Sequence, residues 1–435
     1  MSSLKSLLED CVKEETKRIR DGRKHIELRA ELEVDPELLK KIMPLFVPVD
    51  SEIKYNFRMS HQQAKELSDK YGVDPLIDAL NHAITVLKMP VPLPPRDITA
   101  RDQDFSNLKK IKVRDVVRYK PYQHLYPYKY PLDDALFGMI TTGNKSSSFF
   151  NEMSRADLTS KNGNISGLWN DPGKRRSALN FIKLSMKREY IINSTLLSAM
   201  KQRGTAAAQF RPAVAKALFE FLRAERIYDP CAGWGDRLVA AMACERVVEY
   251  HGVDANGDLQ KMYTEMIKCY NTPPKTNGKS KKDDVNAKEV RVVTACAEEH
   301  VPLKNHFDVV MTSPPYWQCE MYGLGTCWEN MQSWKRYPTF EDWRDKFLRP
   351  MLKISWDALK EGGHLAINIG DIKRNQKRVE ICDGMNDFIR DQLNGKYIGA
   401  LGYQLSKRVN AGRNDDADIA FAEPIWIWQK VGETQ

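Results

Sequence analysis

Four consecutive residues, Ser313-Pro314-Pro315-Tyr316, combine hydrogen-bond acceptors and an aromatic ring on a stiff backbone. The two prolines end the apolar, strand-like run that closes with Thr312, and they hold the chain in one shape. The Ser313 hydroxyl and the Pro314 carbonyl can accept hydrogen bonds from an amine, and Tyr316 and Trp317 offer flat faces for stacking. Such a loop can orient the nitrogen of a ring-attached amine for attack on a nearby electrophile. A rigid loop with packed aromatic side chains is the alternative interpretation.

Residues 229–235, with the sequence DPCAGWG, form a second segment that could bind a ligand. The segment lies between a strand-like and a helix-like run. Gly233 and Gly235 would let the backbone approach a ligand closely. The spacing is not GxGxxG, so it does not match the dinucleotide fingerprint. The glycines are equally compatible with a purely structural turn.

Carboxylates follow two further strand-like runs. Asp254 ends one of them, and an acid at that place can accept hydrogen bonds from ribose hydroxyls. Glu298 and Glu299 end the next, where a carboxylate could meet an adenine amino group. Ordinary strand ends and caps are the alternative for these acids.

Short apolar runs alternate with helical patterns from about residue 226 onward, and this alternation places the segments above. We predict strands at 226–231, 249–256, 290–299, 307–316 and 364–371. The pattern predicts an α/β fold with a doubly wound, mostly parallel sheet, whose ligands bind at the carboxyl ends of the strands. A C-terminal antiparallel hairpin closes the sheet. Helix-start signals at Asp35-Pro36 and Asp74-Pro75 predict a mainly helical N-terminal region.

The order of these segments resembles that of S-adenosylmethionine-dependent amino-methyltransferases of DNA, the N4-cytosine and N6-adenine group. Phe210-Arg211-Pro212 is similar to the FxP motif of that family, residues 229–235 to its glycine motif, and Ser313–Tyr316 to its catalytic motif. The resemblance covers roughly residues 205–430 and implies a Rossmann-like methyltransferase sheet. The serine in the first motif position is most similar to cytosine-N4 enzymes, whereas adenine enzymes more often carry Asp or Asn.

The resemblance also implies roles for single residues. It assigns cofactor contacts to Phe210, Pro212, Asp229, Gly233, Gly235, Asp254, Glu298 and Thr312. In that scheme Phe210 and Pro212 pack on the methionine part of the cofactor, and the 229–235 turn lines its amino-acid end. Asp254 holds the ribose and Glu298 the adenine, with Glu299 as the second choice for adenine. The catalytic set is Ser313, Pro314, Pro315 and Tyr316, with Tyr316 stacking on a base that has left its helix.

The basic surplus of the chain is concentrated in one segment. Lys plus Arg is 67 and Asp plus Glu is 58, and residues 101–200 alone hold 17 basic and 9 acidic residues, interleaved with tyrosines. We therefore divide the chain into a helical region at 1–95, a recognition segment at 96–200 and the methyltransferase domain at 201–435. Phosphate contacts are expected from Arg175, Arg176 and Lys183, and Trp317 and Tyr322 are expected to bind the target base. Trp328 and Trp334 could also wall the base pocket, and a solvated basic face is the alternative for the segment.

Sequence patterns argue against a membrane protein, a secreted protein and a zinc-ribbon protein. There is no apolar run long enough to cross a membrane, no signal-peptide pattern and no CxxC spacing among the 8 cysteines. We expect an intracellular, cytoplasmic protein (nuclear if eukaryotic) with no metal site. Its expected substrate is nucleic acid, DNA rather than RNA. The protein would act alone, as a homodimer or with a partner subunit. The insert at 272–284 is expected to be a loop.

Three other functions remain compatible with the sequence: an RNA base amino-methyltransferase, a non-catalytic nucleic-acid-binding subunit of a heteromeric methyltransferase, and a methyltransferase of protein glutamine. A C5-cytosine enzyme is rejected, because its Pro-Cys nucleophile loop would have to stand where this chain has Pro-Pro-Tyr. The one Pro-Cys pair, Pro230-Cys231, lies in the glycine turn.

Overall fold

The computed structural model describes residues 34–49, 55–120, 122–124, 126–160, 163–204, 207–271, 287–319, 321–405 and 420–432. The insert predicted as a loop at 272–284 lies outside them. Contacts divide the chain into two compact units, the first formed by 1–95 and 153–207 and the second by 96–152 and 208–435. One of these divisions follows residue 95. The segment 96–200 is not a unit of its own, because it contributes to both.

The strands are, in chain order, β1 Phe46–Pro48, β2 Tyr55–Ser60, β3 Val117–Tyr119, β4 Tyr122–Gln123, β5 Ala135–Phe137, β6 Tyr190–Ile192, β7 Arg226–Asp229, β8 Glu249–Asp254, β9 Glu289–Thr294, β10 Phe307–Thr312, β11 Leu359–Asn368, β12 Ile372–Arg374, β13 Lys377–Val379, β14 Gly395–Gln404 and β15 Ala420–Lys430. The helices are α1 Pro36–Ile42, α2 His61–Tyr71, α3 Val73–Val86, α4 Ile98–Lys110, α5 Val113–Val116, α6 Asn144–Asp157, α7 Ile165–Asn170, α8 Pro172–Leu179, α9 Asn193–Lys201, α10 Pro212–Phe221, α11 Asp236–Ala243, α12 Gln260–Tyr270, α13 Ser333–Arg336, α14 Phe340–Asp342, α15 Arg349–Ala358 and α16 Cys382–Gln392. A π-helical segment, Trp343–Leu348, precedes α15.

The central sheet of the second unit has the strand order β14-β15-β11-β10-β7-β8-β9. Strands β7 to β11 pair in parallel, and β15 is antiparallel to both of its neighbours. The chain therefore winds outward from β7 in one direction and from β10 in the other, which makes the gap between these two strands the topological switch point. The predicted doubly wound, Rossmann-like sheet with a C-terminal antiparallel hairpin is confirmed.

Alternate residues of the central strands face two different cores, as the twofold period of a strand requires. Ile227, Val309 and Met311 pack with helices α10, α11 and α12 on one face. Tyr228 and Val310 pack with α15, α16 and the π-helical segment on the other. Helices thus cover both faces, so the carboxyl edge of the sheet is where loops can meet a ligand.

Several predicted element boundaries differ from the structure. The first four predicted strands end two to five residues earlier than expected, at Asp229, Asp254, Thr294 and Thr312. The pair Gly362-Gly363 is a helix-stop signal in the sequence, but α15 already ends at Ala358. Strand β11 begins at Leu359 because this residue pairs with Phe307 of β10. The N-terminal start at Asp35 is confirmed, since its carboxylate caps α1. The start predicted at Asp74 is displaced, because α3 begins at Val73 after Gly72.

Part of the basic, tyrosine-rich segment belongs to the sheet of the second unit. Strand β5 pairs with β14, β3 pairs with β5, and β4 pairs with β15. The Tyr128 ring packs edge-on against Trp426 of β15, with 5.2 Å between the ring centroids. Strands β3 to β5, within residues 117–137 of the segment, therefore extend the edge of the sheet, and tyrosines such as Tyr128 pack against it.

The first unit combines helices α1, α2, α3, α7, α8 and α9 with a small antiparallel sheet, β1-β2-β6. Its core includes Leu80, Trp169 and Met200. The predicted, mainly helical character of the N-terminal region is confirmed, and the small sheet was not predicted. Within the described residues, no helix is long and apolar enough to cross a membrane.

Candidate active site

The glycine turn follows β7 directly and leads into α11. Gly233 and Gly235 adopt φ values of +59° and +78°, a left-handed region that strains any residue with a Cβ. A Cβ at Gly235 would lie 2.6 Å from the Met266 sulfur. At Gly233 it would meet nothing closer than the Cys231 carbonyl oxygen, at 3.9 Å. The second glycine is therefore required by packing, whereas the first leaves the backbone open on its outer side.

Asp229 holds this turn from inside the protein. It is 0% exposed, and its carboxylate accepts from Arg237 Nε and from the Tyr250 hydroxyl, at 2.7 Å each. Arg237 also donates to the Cys231 carbonyl oxygen. With this many internal partners, Asp229 fixes the path of the turn. This corrects the expectation that its side chain would line the cofactor's amino-acid end.

Asp254, at the end of β8, faces the same turn. Its two oxygens accept from the backbone N–H groups of Gly233 and Asn256, at 2.8 Å each. Burial raises the pKa of Asp254 to about 6, although these two backbone donors favour the charged form. Each carboxylate oxygen has a second lone pair, so the group can still accept from hydroxyls of a bound sugar.

The Ser313–Tyr316 loop leaves β10, the strand beside β7. The register pairs Val309 with Ile227 and Val310 with Tyr228, so both strands deliver their loops to the same edge at the switch point. The Tyr316 hydroxyl donates to the Asn368 carbonyl oxygen at 3.4 Å, which joins the loop to the end of β11. The loop and the glycine turn therefore leave the sheet side by side.

The surroundings of Cys231 disfavour its thiolate form. Burial, reinforced by the carboxylates of Asp254 and Asp229, raises the pKa of this thiol well above its usual value. Because a thiol attacks as its thiolate, a protonated Cys231 acts as a small turn residue. This agrees with the rejection of a C5-cytosine mechanism.

Phe210 and Pro212 lie at the start of α10. The Phe210 ring stacks on Tyr403 with 4.9 Å between centroids, and Pro212 is buried as the first residue of the helix. Sequence reasoning missed the group that anchors this segment: Asp236 accepts from the Phe210 backbone N–H, the Gln209 amide and the Ser147 hydroxyl.

Helix α6 was likewise missed as a support of the glycine turn. Asn151 donates to the Trp234 carbonyl oxygen and to the Ser147 hydroxyl, at 2.9 Å each. The acid directly after the second glycine, Asp236, was the available sequence signal. The polar face of α6 gave none, because serines and an asparagine resemble an exposed helix.

The acid proposed to meet adenine has protein partners. The Glu298 carboxylate accepts from Arg336 Nη1 at 2.5 Å and from the Tyr337 hydroxyl at 3.0 Å, and Glu299 pairs with the same arginine. Burial raises the pKa of Glu298. These contacts tie the segment after β10 to the segment after β9, since β9 ends at Thr294 and not at the two glutamates. The adenine contact of Glu298 stays a prediction.

The aromatic side chains of the loop after β10 divide into two groups. Trp328 and Trp334 are buried, and their indole N–H groups donate to Asp258 Oδ2 at 2.7 Å and to the Tyr322 carbonyl oxygen at 3.0 Å. They hold the loop together, which favours the packing alternative for both. Trp317 lies against Phe340 and beneath Arg374, directly beside the Ser313–Tyr316 loop. Tyr322 is half-buried.

Arg175 lies in the first unit with its guanidinium turned inward. It is 4% exposed and donates to Asn81, Trp169 and Thr85. Burial lowers the pKa of Arg175 to about 10. The prediction that Arg175 contacts a phosphate is therefore wrong, because the side chain is enclosed by its own unit.

The two neighbouring predictions meet a related difficulty. Arg176 pairs with Asp78 at 2.6 Å and with Asp74 at 3.3 Å, and Lys183 pairs with Asp74 at 2.9 Å. These acids lie on α3, so part of the basic segment is neutralised by the preceding helices. Arg176 and Lys183 remain partly exposed, and their substrate contacts stay predictions.

Among the described residues, no cluster of three or more His, Cys, Asp or Glu could hold a metal ion. The chain matches no protein-family model and no curated protein. Solved structures align with it at low identity. An S-adenosylmethionine-dependent O-methyltransferase from Thermotoga maritima is 12% identical over 55% of this chain and 72% of its own, with a TM-score of 0.31.

Two further solved structures align similarly. A tRNA (m1A58) methyltransferase from Aquifex aeolicus is 10% identical over 52% of this chain and 71% of its own, with a TM-score of 0.30. A Burkholderia thailandensis 1,6-didemethyltoxoflavin-N1-methyltransferase, solved with S-adenosylhomocysteine, is 12% identical over 51% and 78%, with a TM-score of 0.31. Scores and identities at this level establish neither a shared activity nor a shared substrate.

Proposed function

We propose that this protein transfers a methyl group from S-adenosylmethionine to the exocyclic amine of a base in DNA, with cytosine N4 preferred over adenine N6. The observation that carries the proposal is the pairing of β7 with β10, which brings the glycine turn and the Ser313–Tyr316 loop to one edge at the switch point. Ligands of open α/β sheets bind at such a point.

The residues of the turn fit the cofactor. The open side of Gly233 admits a ligand against the backbone, and Asp254 lies one hydrogen bond away with lone pairs left for ribose hydroxyls. Phe210 offers an apolar face near the same turn, since the Arg237 guanidinium that holds the turn lies 5.4 Å from its ring centroid. When bound, S-adenosylmethionine supplies an electrophilic methyl group on a sulfonium.

The Ser313–Tyr316 loop would bind the target amine. The lone pair of such an amine is conjugated with the base, so the nitrogen is a poor nucleophile. The Ser313 hydroxyl and the Pro314 carbonyl accept its two N–H groups, which favours a more tetrahedral nitrogen aimed at the methyl group. Serine is a weak base, and the extra proton therefore leaves after transfer. The preference for cytosine rests on the serine in this loop, as the family resemblance implies.

Tyr316 would stack on the target base after it leaves the helix. Base–aromatic stacking contributes about 1–3 kcal/mol, so Tyr316→Ala should lower kcat/KM by roughly 5- to 150-fold. Cofactor affinity should stay nearly unchanged, because Tyr316 leaves the strand next to the glycine turn and not from the turn itself. Phe221→Ala, an aromatic-to-alanine change at a side chain that is 52% exposed and lies outside the basic segment, is the control. An equal loss of cofactor affinity in Tyr316→Ala would contradict the stacking role.

The test of the function is transfer of tritiated methyl groups from S-adenosylmethionine to matched pools of double-stranded DNA, single-stranded DNA and RNA, with nucleoside mass spectrometry of the product. N4-methylcytosine in DNA is the expected product. N6-methyladenine would overturn the base preference only, and label confined to RNA would replace DNA by RNA as substrate. No label in any pool, with cofactor binding intact, would overturn nucleic-acid methylation and favour a protein substrate or a non-catalytic subunit.

A further inference from the structure

A short β-hairpin projects from the carboxyl edge of the central sheet, close to the Ser313–Tyr316 loop. It consists of β12 and β13, residues 372–379, and we call it the basic hairpin. Only residues 369–371 separate it from β11, the strand beside β10. Its turn residues, Asn375 and Gln376, both have positive φ, at +47° and +64°. A two-residue turn of this kind matches the twist of the strands and gives a well-defined hairpin.

Four of the eight hairpin residues are basic, and they are used in different ways. Arg378 is engaged by the protein, with Asp371 at 2.6 Å and the Pro127 carbonyl oxygen at 2.8 Å. Lys373 and Lys377 are exposed, and the side chain of neither forms a hydrogen bond or ion pair with any other described residue. In contrast to Arg176 and Lys183, these two lysines retain uncompensated charge among the described residues.

Arg374 connects the hairpin to Trp317, the residue that follows the Ser313–Tyr316 loop. Its guanidinium lies over the Trp317 ring, 4.6 Å from the centroid, and Trp317 directly follows Tyr316. Arg374 Nη1 and Trp317 Nε1 are both buried, and neither has a hydrogen-bond partner among the described residues. Buried N–H groups are nearly always paired in proteins. Two unpaired donors on stacked side chains beside Tyr316 therefore point to an acceptor on the bound substrate.

We propose that the basic hairpin binds the phosphodiester backbone of the strand that carries the target base. Lys373 and Lys377 contact phosphates, and Arg374, stacked on Trp317, donates to an oxygen next to the base. The register places Arg374 directly opposite Lys377, so these two cations share one face of the hairpin, whereas Lys373 lies opposite Arg378 on the other face. The assignment of the acceptor to a substrate strand rests on the proposed function, whereas the binding of polyanion by the hairpin can be measured without catalysis.

Phosphate contacts by lysine are recognised by their salt dependence. Each contact contributes about 0.9 to the slope of log affinity against log salt on duplex DNA, and about 0.7 on single strands. Lys373→Gln/Lys377→Gln should therefore flatten the duplex slope by about 1.8. Between 50 and 200 mM salt, the loss of affinity should then be about 12-fold smaller than in the wild type.

The matched control is Lys304→Gln/Lys396→Gln. Both lysines are exposed and lie in the same unit, but Lys304 precedes β10 and Lys396 lies near the start of β14, at the amino edge of the sheet. The full-length chain is titrated against fluorescent single-stranded DNA, double-stranded DNA and RNA of equal length, by anisotropy over a salt series. The control variant removes the same number of charges as the hairpin variant. It should keep the wild-type slope because its two lysines lie at the opposite edge of the sheet from the hairpin.

Arg374→Lys separates the stacked donor from simple charge. The charge is kept, so the salt slope should stay at the wild-type value. The planar guanidinium is lost, and affinity should fall by about 2- to 30-fold. Unchanged affinity in this variant would overturn the role given to Arg374.

Equal slopes for the hairpin variant and the control variant would overturn the proposal, as would a wild-type chain that binds none of the three polymers. The three-polymer comparison decides which backbone the hairpin accepts. If the wild type binds through the hairpin but transfers no methyl group to any of them, the proposed function fails while the hairpin assignment stands. If the protein methylates nucleic acid but the hairpin variant keeps the wild-type salt slope, the hairpin assignment fails while the proposed function stands.

Discussion

Protonation of Asp254 should control cofactor affinity in the mildly acidic range. The carboxyl group is held against the glycine turn by the Gly233 N–H, and burial raises its pKa to about 6. Ribose hydroxyls would donate to the charged form, so cofactor binding should lower the pKa of Asp254. Affinity then rises as the pH increases through about 6 and levels off above that range.

The size of the effect follows from the pKa. At pH 5, one unit below a pKa of about 6, only about one in eleven Asp254 side chains is ionised, whereas at pH 8 nearly all are. The dissociation constant for S-adenosylhomocysteine should therefore be about tenfold higher at pH 5 than at pH 8. Near pH 6, binding should release about half a proton per molecule bound.

Isothermal titration calorimetry from pH 5 to pH 8, repeated in two buffers of different ionisation enthalpy, measures both quantities. Asp254→Asn is the matched variant, because it has the same shape and does not titrate. It also places an amide nitrogen against one of the backbone N–H groups of Gly233 and Asn256, so its affinity should be lower at every pH. A flat wild-type profile, or a pH dependence that persists in Asp254→Asn, would refute the reasoning.

Three further substitutions test the supports of the site and the corrected arginine. Gly235→Ala should abolish cofactor binding, because its Cβ would meet Met266 at 2.6 Å in a left-handed backbone, and calorimetry with S-adenosylhomocysteine measures this. Arg237→Met leaves the Asp229 carboxylate buried without its counter-charge and should lower the free energy of unfolding by about 3–5 kcal/mol in urea denaturation; unchanged stability would contradict the pairing. Arg175→Met should destabilise the first unit in thermal unfolding while the salt slope for DNA stays at the wild-type value, and a flatter slope would restore its predicted phosphate contact.

The order of the central strands could be predicted from the sequence because its signals are local, although four of the strands end earlier than predicted. A proline pair cannot continue a strand, so β10 ends at Thr312 just before it. Alternating apolar runs predicted the parallel sheet, and the closing hairpin was visible for the same reason. The small sheet of the first unit was missed because β1 and β6 are only three residues long and their pairing joins distant segments.

The roles of the carboxylates around the turn required the tertiary structure. Asp229 and Asp254 both end apolar strands and look equivalent along the chain. In the fold, Asp229 is enclosed by Arg237 and Tyr250. Among the described residues, the Asp254 side chain is held only by backbone N–H groups and keeps lone pairs available. Which acid faces the ligand depends on side chains contributed by neighbouring strands and helices.

Short-range signals in the chain were enough to predict the class of the sheet and the two loops at its switch point, because proline, glycine and strand periodicity act over a few residues. Which charged side chains are available to a partner could be seen only in the folded chain. Arg176 pairs with Asp78, 98 positions away in the chain, while Lys373 and Lys377, in a hairpin that drew no attention in the sequence, have no partner among the described residues. A charge is neutralised by whatever the fold places within a few ångströms of it, and that distance is not written in the order of the residues.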